Sequence, residues 1–156
     1  MTSSPDLWES IALDARAESP LWGDALLPEQ EREPLPVFSR LCEPRFALGL
    51  ETIYEGYLVH YGRPRLFGPP DSDTALLLGD YLYAHGLVRV AAEGDATAVA
   101  DLAELISLVS HQRAEGTGDD GAAWAATASR LGGRAASDGG PEAVERALNA
   151  HRLRVG

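Results

Sequence analysis

Apolar side chains recur at three- and four-residue steps along most of the chain, which is the spacing of one face of an α-helix. The clearest run, over about residues 44–61, places apolar side chains at Phe46, Leu50, Ile53, Tyr54, Tyr57, Leu58 and Tyr61. No segment shows a competing strand signal. The pattern therefore predicts an all-α helical bundle.

Further helices are predicted over about residues 6–18, 74–92, 96–114, 122–131 and 141–153. Segment 74–92 is so apolar that we expect it to be the central helix, buried on most sides. Its expected partner in an antiparallel hairpin is segment 96–114. Pro141 suits the first position of the last helix, where its missing N–H costs nothing.

Proline and glycine mark the connections between these helices. Four prolines between residues 19 and 36 predict a strap without regular structure, anchored by Trp22 and Leu26. Residues 62–70 read as a loop, and residues 132–140 as a flexible link whose order the sequence leaves open. We expect one domain, with residues 1–36 as helix and strap, 37–115 as core, and 116–156 as a helical appendage.

Charge and residue usage restrict the functions open to the protein. The formal net charge is -11, from 24 acidic and 13 basic residues, which disfavours binding to nucleic acid or anionic membranes. No lysine occurs, which excludes Schiff-base chemistry and a phosphate-loop lysine. Cys42 is the only cysteine, and no apolar run approaches the roughly 18 residues of a membrane span. We expect a cytoplasmic protein.

One loop and the helix after it share motifs with a known family. Gly62-Arg63-Pro64 is followed, seventeen residues after Gly62, by Gly79-Asp80-Tyr81-Leu82. This arrangement resembles the trans-isoprenyl diphosphate (polyprenyl) synthases, which have a Gly-x-Pro loop and a Gly-Asp-Tyr-Leu-type helix at the same spacing. The next predicted helix ends in His111-Gln112, similar to the Gly-Gln or Gly-Glu pair of the family. The resemblance covers about residues 50–115 and implies part of a terpenoid synthase-like fold.

The resemblance also implies a site. Glu51, Thr52 and Glu55 fall where the family carries the three aspartates of its first aspartate-rich motif, which hold magnesium. It therefore implies Glu51 and Glu55 as metal ligands and magnesium as the cofactor. The alternative without a metal is a pair of solvent-exposed glutamates four residues apart on a helix.

Other candidate residues would contact a diphosphate, a protein partner or an apolar ligand. The candidates for diphosphate or partner binding are Arg63, Arg65, Asp80 and Gln112. Those for an apolar pocket are Tyr54, Tyr57 and Tyr81, with ordinary core packing as the alternative.

Three of these charged residues carry expectations about exposure. Asp80 lies inside an apolar helix, so we expect a buried carboxylate with an arginine partner. Arg63 and Arg65 lie in a loop predicted to be exposed. There they would either clasp a phosphate or a partner's carboxylates, or pair with Asp71 and Asp73.

Departures from the family decide the predicted function. No Gly-Gly-Lys-Arg motif is present, His60 and Tyr61 replace an arginine pair, and the chain ends before a second aspartate-rich motif. We therefore predict a non-catalytic interaction protein, a truncated relative acting as a small or regulatory subunit. It would form a homo-oligomer or bind a dedicated protein partner. The alternatives are an isoprenoid- or prenyl-diphosphate-binding protein and a divergent magnesium-dependent prenyltransferase.

Overall fold

The structure is a computed structural model that describes residues 6–116, 120–131 and 140–155. Its helices are α1 (Leu7–Glu18), α2 (Pro20–Ala25), α3 (Ala47–Tyr61), α4 (Ser72–Ala91), α5 (Ala96–Glu115), α6 (Asp120–Arg130) and α7 (Gly140–Val155). These ranges contain no strand, so the all-α prediction is confirmed for them. None of their helices is long and apolar enough to cross a membrane. Of the predicted link at 132–140, only Gly140 belongs to the described residues.

Aspartate caps start three of the helices. The side chains of Asp6, Asp71 and Asp95 each accept a hydrogen bond from the backbone N–H three residues later, at 2.8, 2.7 and 3.0 Å. Each cap satisfies a backbone donor that has no partner within the helix. At the other end of α5, Gly116 adopts a left-handed conformation with φ of 67° and closes the helix. The helix boundaries therefore follow local chemistry that the sequence displays.

The proline-rich strap contains a helix that the sequence did not predict. Pro20 occupies the first turn of α2, and the side chain of Ser19 caps that turn. Proline is tolerated there because the first-turn N–H groups have no partner within the helix. Trp22 is buried and Leu26 forms an isolated bridge with Phe67, so both anchor the strap.

The central helix is α3 and not α4, which corrects the prediction for segment 74–92. Eleven of the 15 residues of α3 are buried. On α4, Leu76 and Leu77 are each 57% exposed and Val88 is 63% exposed. The apolar side chains of α4 point in all directions from its axis, but the other helices cover only part of its circumference.

Glycines let α3 and α4 approach closely. Gly49 lies opposite Gly86, and Gly56 lies opposite Gly79, which makes the two helices antiparallel. A Cβ atom added to Gly86 would stand 2.9 Å from the carbonyl oxygen of Gly49, and one added to Gly56 would stand 2.9 Å from that of Gly79. The two glycines of each helix, Gly49 and Gly56 on α3 and Gly79 and Gly86 on α4, are seven residues apart, or about two turns. The pairs form a continuous seam that only glycine fits.

Apolar residues form two clusters that share α3. One lies among α3, α5, α6, α7 and the segment after the strap, and includes Phe38, Tyr54, Tyr57, Leu102 and Trp124. The other lies among α1, α2, α4 and the loop after α3, and includes Ile11, Trp22, Val59, Phe67 and Leu82. Because α3 lies between both clusters, its polar residues Glu51, Thr52 and Glu55 are fully buried.

Candidate functional site

A buried ion cluster joins α3 to the loop that follows it. We call Glu51, Glu55 and Arg65 the Arg65 cluster. The guanidinium of Arg65 donates to Glu51 Oε1 at 2.8 Å and to Glu55 Oε1 at 3.0 Å. All three side chains are fully buried. The prediction that Arg65 lies exposed is therefore wrong, and its partners are the two glutamates and not Asp71 or Asp73.

The remaining polar atoms of the Arg65 cluster bind the backbone around it. Glu51 Oε2 accepts from the backbone N–H of Val37 at 3.1 Å and from the Ser39 hydroxyl at 2.8 Å. Glu55 Oε2 accepts from the backbone N–H groups of Arg65 and Leu66 at 2.9 and 2.8 Å. Arg65 also donates to the Leu35 carbonyl at 3.0 Å. The cluster thus fastens the strap and the loop to α3.

Electrostatics hold Arg65 in its charged form. Burial lowers the pKa of the guanidinium, but the charges and hydrogen bonds of Glu51 and Glu55 outweigh it, and its pKa lies above the ordinary value. The guanidinium carbon also lies 4.7 Å from the ring centroid of Trp8 and 5.1 Å from that of Tyr54. Two carboxylates and two aromatic rings therefore stabilise one buried cation.

The glutamates for which magnesium was expected thus have a guanidinium between them. The hydroxyl of Thr52, the third position implied by the resemblance, donates to the carbonyl of Leu48 at 2.7 Å. Within the described ranges, no group of three or more His, Cys, Asp and Glu side chains is placed to hold a metal ion. What the arrangement does chemically is to neutralise one of the two negative charges of the acid pair with a cation from the chain itself.

A second buried polar group connects four helices. We call Tyr54, Tyr57, Arg113, Asp120 and His151 the Asp120 cluster. His151 Nε2 lies 2.9 Å from Asp120 Oδ1, and His151 Nδ1 lies 2.7 Å from the Tyr54 hydroxyl oxygen. Tyr57 donates to Asp120 Oδ2, which also accepts from Arg113 Nε at 3.0 Å. The Asp120 cluster links α3, α5, α6 and α7.

The donors around Asp120 stabilise its ionised form. Burial raises the pKa of this carboxyl, but hydrogen bonds from His151 and Tyr57 and the charge of Arg113 lower it more, to about 2. Burial is also the main reason that the pKa values of Tyr54 and Tyr57 lie above their ordinary range. The cluster is a chain of matched donors and acceptors around a fixed negative charge.

Sequence reasoning missed the Asp120 cluster. A signal existed for His151, which shares one helical face with Ala147 and Arg154, all three buried. A histidine on the buried side of an amphipathic helix requires a polar partner. No comparable signal marked Asp120, which begins α6 just beyond a glycine- and aspartate-rich segment.

The remaining candidates lie apart from one another. Asp80 is exposed, with 62% of its side chain accessible, and its neighbour is His60 Nε2 at 3.5 Å. The expectation of a buried Asp80 with an arginine partner is therefore wrong. Arg63 is exposed and donates to Glu33 at 3.1 Å. Gln112 lies on α5, and its buried Oε1 accepts no hydrogen bond from the described residues.

The three candidate tyrosines do not face one pocket. Tyr54 and Tyr57 are fully buried in the first apolar cluster. Tyr81 lies beside the second cluster, where its ring stacks on Trp22 at 5.8 Å and on His85 at 5.4 Å between centroids. An open groove exists elsewhere, between α3, α4 and α5, and its aromatic residues include Tyr61 and Tyr83.

Comparison with protein-family models, curated proteins and solved structures finds no match to this chain. The relationship to polyprenyl synthases therefore stays a prediction from motifs.

Proposed function

We propose that this chain is a non-catalytic helical interaction protein, a relative of the polyprenyl diphosphate synthases that acts as a small or regulatory subunit. The observation that carries the proposal is the outer face of α4. Leu77 is 57% exposed and Val88 is 63% exposed, and exposed Ala84 lies between them. Steps of seven and four residues place the three on one side of the helix.

An apolar row of this kind suits packing against another helix. Single exposed leucines are common on protein surfaces. Here the apolar side chains recur over three turns of one helix, close to the spacing by which helices pair in coiled coils. Burying them in a contact is favourable by about 25 cal/mol for each Å² of apolar surface removed from water. The occupant would be a second copy of the chain or a dedicated partner.

The Arg65 cluster supports the non-catalytic part of the proposal. The carboxylates for which the resemblance implies magnesium already bind a cation supplied by the chain itself. Replacing that cation by a metal would require Arg65 to leave a fully buried position. The acid pair then serves structure, as a fastening for the strap and the loop.

Light scattering after gel filtration tests the association. The wild-type chain is expected to have a mass above the 16.7 kDa of one copy. A Leu77→Asp, Val88→Asp variant is expected at the mass of one copy, because association would remove the hydration of two carboxylates at a large cost in free energy. The control is Leu153→Asp on α7, where Leu153 is 77% exposed and lies off the proposed face.

A dedicated partner needs a second arm of this experiment. The tagged chain would be purified from its source cells, and any copurifying protein would be identified, purified and recombined with it. Binding to the wild type and the Leu153→Asp control, with loss in the double variant, supports the proposal. A single-copy mass together with no partner that distinguishes these variants contradicts it.

A groove of about 630 Å³ between α3, α4 and α5 favours a second candidate, an isoprenoid- or prenyl-diphosphate-binding protein. This volume lies in the range of small-molecule sites. Farnesyl diphosphate with magnesium would then raise the melting temperature in a dose-dependent way. Ile106→Glu, which places a charge on the groove wall, should abolish the rise. Release of inorganic diphosphate that depends on an added prenyl acceptor, such as isopentenyl diphosphate, would indicate a prenyltransferase.

A further inference from the structure

The groove between α3, α4 and α5 has one aromatic wall. His60, Tyr61 and Tyr83 line it. The ring centroid of His60 lies 5.6 Å from that of Tyr61 and 5.1 Å from that of Tyr83, both edge to face. Aromatic faces carry a negative quadrupole that attracts ammonium groups, and small aromatic cages bind such groups in proteins. The wall therefore has the composition of a site for an organic cation.

The Tyr61 ring already lies near one cation. The guanidinium carbon of Arg113 is 5.6 Å from its centroid, and the same guanidinium is paired with Asp120. The charge of Arg113 is thus balanced within the Asp120 cluster. Because Asp120 balances the charge of Arg113, a ligand cation beside the Tyr61 ring would be repelled only weakly by that guanidinium.

The charged residues of the groove are acidic. Asp73 and Asp80 line it, and no arginine does so among the described residues. His60 is its one basic residue in this part of the chain, and His60 Nε2 lies 3.5 Å from Asp80 Oδ1 and 3.1 Å from the Leu76 carbonyl oxygen. A diphosphate entering without a metal would face two carboxylates. An ammonium group would face charges of the opposite sign.

Besides Ser72 and Ser110, the rest of the groove offers aliphatic surface and one buried hydroxyl. Val59, Leu76 and Ile106 supply aliphatic surface from three different helices. Tyr83 is 8% exposed, and its hydroxyl has no hydrogen-bond partner among the described residues. Buried tyrosine hydroxyls usually have one, so this wall holds an unused polar group.

From these features we propose that the groove binds an amphiphilic organic cation, an amine that carries an aliphatic chain. The ammonium group would lie between the aromatic wall and Asp80. The aliphatic chain would lie along Val59, Leu76 and Ile106. This site uses the side of α4 that faces α5, whereas the proposed association uses Leu77 and Val88, so either proposal can fail without the other.

Matched probes of one chain length test the charge selection. Decylamine and decanoate would be titrated below their critical micelle concentrations and decanol below its solubility limit, and binding would be followed by isothermal calorimetry. Decylamine is expected to bind about fivefold more tightly than decanol, with decanoate weakest, because the apolar burial is shared and only the head group differs.

Two variants locate the selecting charge. Asp80→Asn is expected to weaken decylamine binding about threefold and to leave decanol binding unchanged, as suits a solvent-exposed carboxylate. Glu145→Gln makes the same change of charge at an exposed position on α7, outside the groove, and should leave both affinities unchanged. Circular dichroism would show that both variants remain folded.

Several outcomes would overturn the proposal. Absence of decylamine binding to the wild type removes it. Equal affinities for the three probes would show an apolar groove without charge selection. Tighter binding of geranyl diphosphate, which also has ten carbons in its prenyl chain, with magnesium than of decylamine would show that the groove selects the opposite charge, and would support the prenyl-diphosphate candidate. An unchanged decylamine affinity in Asp80→Asn would remove the assigned ammonium position.

Discussion

The guanidinium of Arg65 is enclosed by protein on every side, so only protein groups compensate for its lost hydration. Two carboxylates, two backbone carbonyls and two aromatic rings surround it. A buried ion pair adds little stability relative to a well-packed apolar core, but removing one partner is costly because the other charge stays buried. The contribution of Arg65 to stability therefore requires that all three charged groups of the Arg65 cluster are present.

Arg65→Met is therefore expected to lower the free energy of unfolding by about 3–5 kcal/mol, since it leaves two buried glutamates without a cation. Urea unfolding followed by tryptophan fluorescence would measure the change. The matched control is Arg63→Met, two residues away and exposed, which should change the free energy by less than about 0.5 kcal/mol. Equal effects of the two variants would show that burial of the cluster has no special energetic role.

Asp120 makes stability depend on acid pH. Its pKa in the folded chain is about 2, against about 3.9 in an unfolded chain. A carboxyl with a lowered folded-state pKa stabilises the fold above the unfolded value, and that stability is lost as the pH falls through the folded value. The difference corresponds to about 2 kcal/mol, present at pH 5 and lost between about pH 4 and pH 2.

Asp120→Asn should remove this contribution. The gap in unfolding free energy between the wild type and this variant is expected to be wide at pH 5 and to narrow by about 2 kcal/mol towards pH 2. Urea titrations at a series of pH values would measure the gap. Asp80→Asn, at an exposed position, should stay close to the wild type at each pH. A gap for Asp120→Asn that is independent of pH would contradict the lowered pKa of Asp120 in the folded chain.

At the scale of elements, the close packing of α3 on α4 depends on glycine. The backbones approach at Gly49 and Gly86 and again at Gly56 and Gly79, which leaves no room for a methyl group. Glycine lowers helix stability by about 1 kcal/mol relative to alanine in an exposed position. That loss is offset here by the packing of two helices whose backbones touch.

Gly86→Ala is expected to destabilise the protein by about 1–3 kcal/mol, because its Cβ would press on the Gly49 carbonyl and the helices would have to separate. The control is Gly23→Ala on α2, where the nearest atom to a new Cβ is Cγ of the flexible Arg16 side chain at 3.3 Å. That variant should be neutral or slightly stabilising. Thermal or urea unfolding of both proteins would check the contrast, and a stabilised Gly86→Ala would refute the close approach.

At the scale of the whole molecule, net charge opposes self-association while the apolar face of α4 favours it. Each copy carries a formal charge of -11, so two copies repel one another in dilute salt. Salt shortens the range of that repulsion to about 10 Å at 0.1 M. A partner of opposite charge would respond in the other direction.

Self-association through α4 is therefore expected to strengthen by several-fold between 50 mM and 500 mM sodium chloride. Sedimentation equilibrium at both concentrations would give the dissociation constants. The Leu77→Asp, Val88→Asp variant should stay a single copy under both conditions. Weaker association at high salt would point instead to contacts between opposite charges and away from the α4 face.

The sequence determined the helices, because their signals are local. Aspartate caps at Asp6, Asp71 and Asp95 and the apolar spacing of α3 lie within a few residues of the elements that they define. Local signals failed at α2, where proline density suggested no regular structure although Pro20 suits the start of a helix. The acidic net charge and the absence of lysine also follow from the sequence alone.

Tertiary structure alone decided which polar groups meet. Glu51, Glu55 and Arg65 were each recognisable as candidates, but their pairing depends on how the loop after α3 folds back onto that helix. Asp120 and His151 are 31 residues apart in the chain and meet because α6 and α7 pack against each other. Helix periodicity also could not show that α3, and not α4, is enclosed, because the outcome depends on which helix lies between the two apolar clusters. Local interactions fix the elements, whereas burial and partnership depend on contacts distant in sequence.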